Sequence, residues 1–448
     1  MSHSARDTAL GVLVACRTHG AWADAALKAQ LARDRLSPQD AALCSRMVYG
    51  VTQNRLLLDF YLAAYCSQKP DHLQPPLLDI LRLGAYQILF LDKVPDRAAV
   101  SEAVELAKRS GRGQAAGLVN AVLRKLSQNK NALPPIPDRD EAKFLSIRYS
   151  HPKWLVKRLL ELLGREEAEA FLSADNTAAP LTVQVNPLKT TPEALTAELE
   201  ALGVRVTPHA WVPGCLELSG TGDLTALEPF RAGHFLVQDG AAALAARAAA
   251  VMPGQRVLDV CAAPGGKSFG AAFAIEDQGE ILACDLHENK LKRIREGAQR
   301  LGLTCIRTAA ADGREFRPEW EAAFDTVLVD APCSGLGIIR KKPDIRYKKA
   351  DDLFTLPVVQ QAILDNACRY VKPGGVLVYS TCTILPEENQ QITDAFLAQH
   401  PDFSREDLSL PAQAGQTDGQ VTLWPHRHDT DGFYICRMRR QASGGKLL

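Results

Sequence analysis

Residues 257–268 read Val-Leu-Asp-Val-Cys-Ala-Ala-Pro-Gly-Gly-Lys-Ser, an apolar run that stops abruptly at Pro264-Gly265-Gly266. Such a run, closed by turn residues, predicts a buried strand feeding a tight turn. Two adjacent glycines admit positive φ and carry no Cβ, so a ligand can come close to the main chain. A helical pattern follows, which puts the turn at a helix N-terminus, where free amide groups attract a polar or negative ligand atom. The glycine spacing matches neither the G-x-G-x-x-G dinucleotide turn nor the G-x-x-x-x-G-K-[ST] phosphate loop. A nucleotide-like cofactor is favoured without either of those loops.

From residue 241 onward the pattern alternates. Strands are expected at 256–261, 280–286, 304–308, 325–330 and 375–380, with helices between them. That alternation predicts an open, mostly parallel sheet wrapped on both faces, a Rossmann-like α/β fold. Ligands in such sheets lie beyond the carboxyl ends of the strands. Residues 413–421 and 439–448 have no such pattern and are expected to be exposed loop and tail.

The chain has 448 residues, enough for about three domains. Apolar residues recur at three and four spacing from residue 5 to about 130, as in Leu10, Leu13, Leu27, Leu31 and again Leu77, Ile80, Leu81, so an all-helical domain is expected over 1–138. Pro38, Pro75 with Pro76, and Pro95 mark helix starts. The stretch 131–140, with Pro134, Pro135 and Pro137, lacks periodicity and is expected to be a linker. A small α+β module is expected over 139–235, with strands at 181–185, 204–206, 215–218 and 235–237. The sheet domain then spans 236–441, leaving 442–448 as a tail.

Composition narrows the class. No apolar run approaches the roughly 20 residues of a membrane span, and the N-terminus has no signal-peptide pattern, so a cytoplasmic protein is expected. The eleven cysteines are scattered without a C-x-x-C pair, and the histidines are isolated, so no metal site is expected. Formal net charge is zero, yet residues 1–140 hold 18 Lys and Arg against 13 Asp and Glu. Much of that excess lies in Lys108, Arg109, Arg112, Arg124, Lys125 and Lys130, which form either a solvated face or a phosphate-contacting patch. Nothing demands a partner chain, and a monomer is expected.

The chemistry gathers at the predicted strand ends. Asp285 ends the second strand, about twenty residues past the glycine turn, where a carboxylate can accept both hydroxyls of a ribose. Asp312, after the third strand, can accept from an adenine amino group. With no phosphate-binding lysine arrangement, S-adenosylmethionine fits better than a dinucleotide. The fourth strand runs into Asp330-Ala-Pro-Cys333-Ser-Gly and the fifth into Ser380-Thr-Cys382, so two thiols emerge at adjacent strand ends. A thiol is needed where carbon 5 of a pyrimidine must be methylated. That carbon is too electron-poor to react directly, and thiolate addition to carbon 6 makes it enamine-like. Lys267 or a helix N-terminus would favour the thiolate. Asp330 would hold the ring at nitrogen 3 or the exocyclic amine, and Cys333 is placed to help release. Beyond Cys333 the basic loop with Arg340, Lys341, Lys342 and Arg346 would meet a polyanion first and orient a strand whose target base leaves its stack.

These residues resemble the RNA cytosine-5 methyltransferases: Cys261-Ala-Ala-Pro-Gly-Gly-Lys267, Asp330-Ala-Pro-Cys333-Ser-Gly, Thr381-Cys382, Pro386-Glu-Glu-Asn389 and Asp431-Gly-Phe-Tyr434. In that family the Thr-Cys cysteine, here Cys382, is the nucleophile, and the Pro-Cys cysteine, here Cys333, promotes product release. DNA cytosine-5 enzymes differ in placing their nucleophile in a Pro-Cys motif. The N-terminal region is similar to the NusB antitermination fold, an RNA-binding helical unit. That pairing points to the bacterial 16S ribosomal RNA cytosine-5 methyltransferases known as RsmB or Fmu/Sun. The resemblance implies a small-subunit rRNA substrate. It also implies a cofactor pocket lined by Cys261, Ala262, Ala263, Pro264, Gly265, Gly266, Lys267, Asp285, Asp312 and Asp330. In the basic patches Arg340, Lys341, Lys342, Arg346, Arg109, Arg112, Arg124 and Lys125 are the expected RNA contacts. Two positions depart from the family pattern: Gln184 stands where arginine is usual, and Lys341-Lys342 replaces Arg-His.

Two rival readings differ in kind. An amino-group methyltransferase would want an Asp/Asn-Pro-Pro-aromatic turn, which Asp330-Ala-Pro-Cys333 is not. An RNA-binding assembly factor with a vestigial methyltransferase domain would have no use for Cys382, Cys333 and Asp330 together.

Overall fold

The computed structural model describes residues 4–415 and 417–442, and the chain divides into two compact units. One comprises the residues up to Thr177 together with Lys341–Lys348, and the other Ala178–Arg340 with Lys349 onward.

The first unit is helical. Its helices include Ala5–His19, Ala23–Asp34, Pro38–Gln53, Arg55–Tyr65, Pro75–Phe90, Asp96–Ala107 and Ala116–Gln128. The local signals act as their chemistry requires. Ser4 closes a capping box with Asp7 at the first helix, satisfying amide groups that have no intrahelical partner. Pro38 and Pro75 sit in the first turn of their helices, where a missing N–H costs nothing. Leu10, Leu13, Leu27, Leu77, Leu78, Ile80 and Leu81 are buried in one shared core. Helices Glu141–Tyr149, Lys153–Leu163 and Arg165–Ala174 group with this unit, whereas the sequence pattern placed them in the middle module.

The second unit holds two sheets. The smaller is antiparallel, in order β2-β3-β1-β4, from β1 (Leu181–Val185), β2 (Arg205–Pro208), β3 (Cys215–Ser219) and β4 (Phe235–Val237). The larger is an eight-stranded sheet. Its parallel part runs β9-β8-β5-β6-β7, from β5 (Arg256–Asp259), β6 (Glu280–Asp285), β7 (Ile306–Ala310), β8 (Phe324–Asp330) and β9 (Val371–Thr381). Alternate residues of one strand feed different cores: Val257, Leu328 and Val378 pack in one, Leu258, Val327 and Tyr379 in another. Both faces are therefore covered, which is why these strands read as unbroken apolar runs.

Three antiparallel strands extend this sheet beyond β9: β10 (Phe403–Arg405), β11 (Gln420–Leu423) and β12 (Phe433–Arg440). Residues 420 and 421 are strand rather than loop, and Arg439 and Arg440 are ladder residues rather than tail. Arg439 pairs with Glu406 at 2.7 Å and Arg440 with Asp402 at 3.0 Å, so the cations expected in a solvated tail are held on the sheet. Residues 443–448 of the expected tail lie outside the described residues.

Candidate active site

Parallel pairing brings the chemistry together. Asp330, the last residue of β8, is in register with Ser380 of β9, so the turns after the two strands start side by side. Ala331 donates its N–H to the Ser380 carbonyl at 2.9 Å, and Gly337 donates to the Cys382 carbonyl at 3.0 Å. The outcome is that Cys333 Sγ and Cys382 Sγ lie 3.4 Å apart, both half-buried. Burial, the neighbouring sulfur and the carboxylates of Glu388 and Asp330 push the Cys333 thiol well above the ordinary thiol range; the hydrogen bond with Cys382 is the largest cause.

Asp330 is held from two sides. Lys267 Nζ stands 2.6 Å from its Oδ2, and Ser380 donates its hydroxyl to Oδ1 at 3.0 Å. Lys267 belongs to the first turn of helix Gly266–Ala274, and its ammonium also sits 4.8 Å above the Phe433 ring. The helix start is fixed by Gly265, whose φ of +113° excludes side-chain-bearing residues, and an added Cβ there would lie 2.5 Å from the Phe269 ring. At Gly266 an added Cβ would come 3.0 Å from Gln238. Gly265 is thus demanded by the protein's own packing, a reason the sequence pattern did not separate from ligand approach, whereas at Gly266 only the end of the Gln238 side chain would have to give way.

Beyond these strand ends a cavity of about 460 Å³ opens, lined among others by Cys261, Ala263, Asp285, Asp312, Asp330, Cys333 and Cys382. Its volume is within the range of small-molecule sites. Asp285 accepts the His287 N–H at 3.1 Å and pairs with Lys290 at 3.2 Å. Asp312 is gripped by Arg314, 2.5 Å away, which holds its carboxyl below the usual range. Val260, Leu286, Val359 and Ile363 give the same cavity an apolar wall. Ala262, Pro264, Gly265, Gly266 and Lys267, the other residues expected to hold a cofactor, belong to the turn and helix start beside this cavity and are not among the residues that line it.

Sequence reasoning passed over a further acid. Asp259, at the end of β5, is fully buried; its Oδ2 accepts the Ser268 hydroxyl at 2.7 Å and its Oδ1 has no hydrogen-bond partner. Burial, with a smaller contribution from the Asp330 charge, pushes it up to about 7. A lone acid inside an apolar strand was the signal.

The expected RNA contacts divide. Arg124 and Lys125 are exposed on helix Ala116–Gln128, and Arg112 is half-exposed. Arg109 is exposed but pairs with Asp7 at 3.1 Å. Arg340 is nearly buried, bound to Asp429 at 2.8 Å and to the Ala178 carbonyl at 3.1 Å. Lys342 is exposed and Lys341 half-exposed. Arg346 requires correction as a phosphate contact: its side chain has no accessible surface and donates to the carbonyls of Gln53, Tyr149, Ser150 and Asp175 and to Asn176 Oδ1. A guanidinium closed in by backbone oxygens of the helical unit has no face left for a phosphate. Gln184, at the position noted for lacking arginine, is likewise buried in β1.

The chain is similar to known proteins over nearly its whole length. Residues 246–439 match the family model described as 16S rRNA methyltransferase RsmB/F, residues 3–128 match the NusB family, and residues 151–225 match the ferredoxin-like domain of RsmF/B-like methyltransferases. A probable ribosomal RNA small subunit methyltransferase B of Bacillus subtilis is 38% identical, covering 98% of this chain and 99% of its own. The ribosomal RNA small subunit methyltransferase B of Vibrio cholerae is 36% identical over 92% of each chain. Among solved structures, that of a protein called PH0851 superimposes with a TM-score of 0.82 at 28% identity, covering 98% of this chain and 100% of that one.

Proposed function

Given that the chain belongs to the 16S rRNA methyltransferase family RsmB/F, we propose that it methylates carbon 5 of a cytosine in small-subunit rRNA by transient attachment of Cys382 to carbon 6. S-adenosylmethionine is the cofactor, and it supplies an electrophilic methyl group. The cavity suits it: Asp285 offers a carboxylate to ribose hydroxyls, and Val260, Leu286, Val359 and Ile363 offer an apolar wall to the adenine.

The observation that carries the reading is the thiol pair, 3.4 Å apart at the mouths of two parallel strands and beside Asp330. Cys382 forms a bond from Sγ to carbon 6, which turns carbon 5 into a nucleophile. Asp330, fixed by Lys267 and Ser380, accepts a hydrogen bond from the exocyclic amine or a protonated nitrogen 3 and steadies the charge that moves into the ring. After carbon 5 has gained its methyl group its proton passes to water, the C–H electron pair restores the C5–C6 double bond, and the Sγ–C6 bond breaks with its pair on the Cys382 sulfur. Cys333 assists that departure. Lys125, Arg124 and Arg112 of the helical unit contact rRNA phosphates.

A 16S rRNA fragment carrying tritium at carbon 5 of its cytosines tests the position of attack. Tritium release to water in step with methyl incorporation is expected. Methyl incorporation with tritium retained would place the methyl on a different atom.

A further inference from the structure

Behind the two thiols lies a buried polar cluster that the reaction as described does not use. Glu388 is 1% exposed and has no lysine, arginine or histidine within ion-pair distance among the described residues. Its Oε2 accepts the Ser334 N–H at 2.8 Å and the Gln360 amide at 2.9 Å; Oε1 accepts the Thr383 hydroxyl at 3.3 Å. Ser334 follows Cys333, and Thr383 follows Cys382. Their own hydroxyls meet at 2.6 Å. Gln360 also donates to the Pro332 carbonyl at 2.9 Å, and Tyr379 donates its phenol to the Glu388 carbonyl at 2.7 Å. One carboxylate therefore ties together the residues next to both sulfurs.

Holding two loops could be done by a neutral amide. A carboxylate adds a negative charge, and a buried charge without a counter-ion is costly enough to need a reason. Its neighbours sharpen the effect. Asp330 faces the same thiol from β8, with its charge shared by Lys267, while Tyr379, bound to the Glu388 carbonyl, is a phenol that burial keeps neutral. Negative charge on this side opposes a thiolate at Cys333.

We propose that Glu388 is a positioning residue that clamps the Cys333 and Cys382 turns at their working separation and keeps the shared proton on Cys333, so that Cys382 is the sulfur presented to the ring. A protonated Cys333 can then donate its S–H to Cys382 as that sulfur leaves carbon 6, which eases departure. This rests on the reaction proposed above, and it deepens the role of Cys333 from bystander to hydrogen-bond donor.

Glu388→Gln separates charge from clamp. The amide oxygen can keep the Ser334 and Gln360 bonds, and the amide nitrogen can donate to Thr383, whose hydroxyl turns to Ser334. The readout is alkylation of the full-length protein by iodoacetamide, each cysteine peptide being quantified by mass spectrometry from pH 6 to pH 10. In the unaltered protein Cys382 should be modified about tenfold faster than Cys333 near neutral pH, and Glu388→Gln should raise the Cys333 rate about tenfold while Glu388→Asp leaves the order as it was. An unchanged rate at Cys333 in Glu388→Gln overturns the proposal. So does faster modification of Cys333 in the unaltered protein, a result that needs no variant to fold. Because alkylation does not require rRNA, failure here is distinct from failure of the carbon 5 reaction, which tritium release reads by itself.

Discussion

Lys267 Nζ lies 2.6 Å from Asp330 Oδ2, joining the helix that follows β5 to the carboxyl end of β8. The contact fixes an acid that the proposed reaction uses to hold the base, and it does so with a side chain that is itself 9% exposed. Lys267→Met should leave a folded protein and lower kcat by about 100-fold, the range expected when a group that orients an acid is removed. Steady-state methylation of an rRNA fragment, with circular dichroism as the control for folding, measures this.

Asp259 gives a pH dependence whose sign is fixed. Its folded-state value is raised from 3.8 to about 7, so the folded protein binds the proton more tightly than the unfolded chain. Stability from this group is therefore present at low pH and falls as pH rises from about 4 to about 7, by on the order of 3 kcal/mol. Asp259→Asn should gain on the unaltered protein by about that amount between pH 5 and pH 8 in urea unfolding. Parallel profiles for the two proteins would show that Asp259 is ionised in the folded state throughout.

Arg346 should behave as a structural residue. Arg346→Met leaves several buried carbonyl groups without a donor and should cost the helical unit on the order of 3 kcal/mol. Denaturant midpoints measure the destabilisation, and the salt dependence of rRNA binding by the folded fraction should not change.

The basic face of the helical unit makes the opposite prediction. Arg112, Arg124 and Lys125 have no ion-pair partner among the described residues, whereas Arg109 is partly neutralised by Asp7. Reversing the first three charges should weaken rRNA binding and reduce the salt slope by about 0.7 for each phosphate that is no longer neutralised. Filter binding between low and moderate salt checks it, and an unchanged slope removes this face from the interface.

The parts legible in the sequence were those with a local physical signature. The apolar runs of β5, β6 and β8 follow from burial on both faces, and Asp285, Asp330 and the two thiols stand out because polar side chains end those runs. Parallel order then brings Cys333 to Cys382 across 49 positions of sequence. What is not legible depends on long-range pairing. Strand β12 ends in Arg439 and Arg440, a tail by composition, and they join the ladder only because β9 and β10 are there to receive them. Arg346 sits in a run of cations that gives no sign of which one is buried. Glu388 follows Pro386 and Glu387 like any acid opening a helix, and its isolation from cations is visible only once Ser334, Gln360 and Thr383 surround it.

The most direct test of the covalent scheme uses the two sulfurs one at a time. Cys333→Ala, incubated with S-adenosylmethionine and a 16S rRNA fragment, should accumulate a protein–RNA adduct that survives denaturing electrophoresis. Cys382→Ala, alone or combined with Cys333→Ala, should give neither adduct nor methylated RNA. Methylation by Cys382→Ala, or an adduct in the double variant, would contradict the assignment of Cys382 as the sulfur that bonds to the ring.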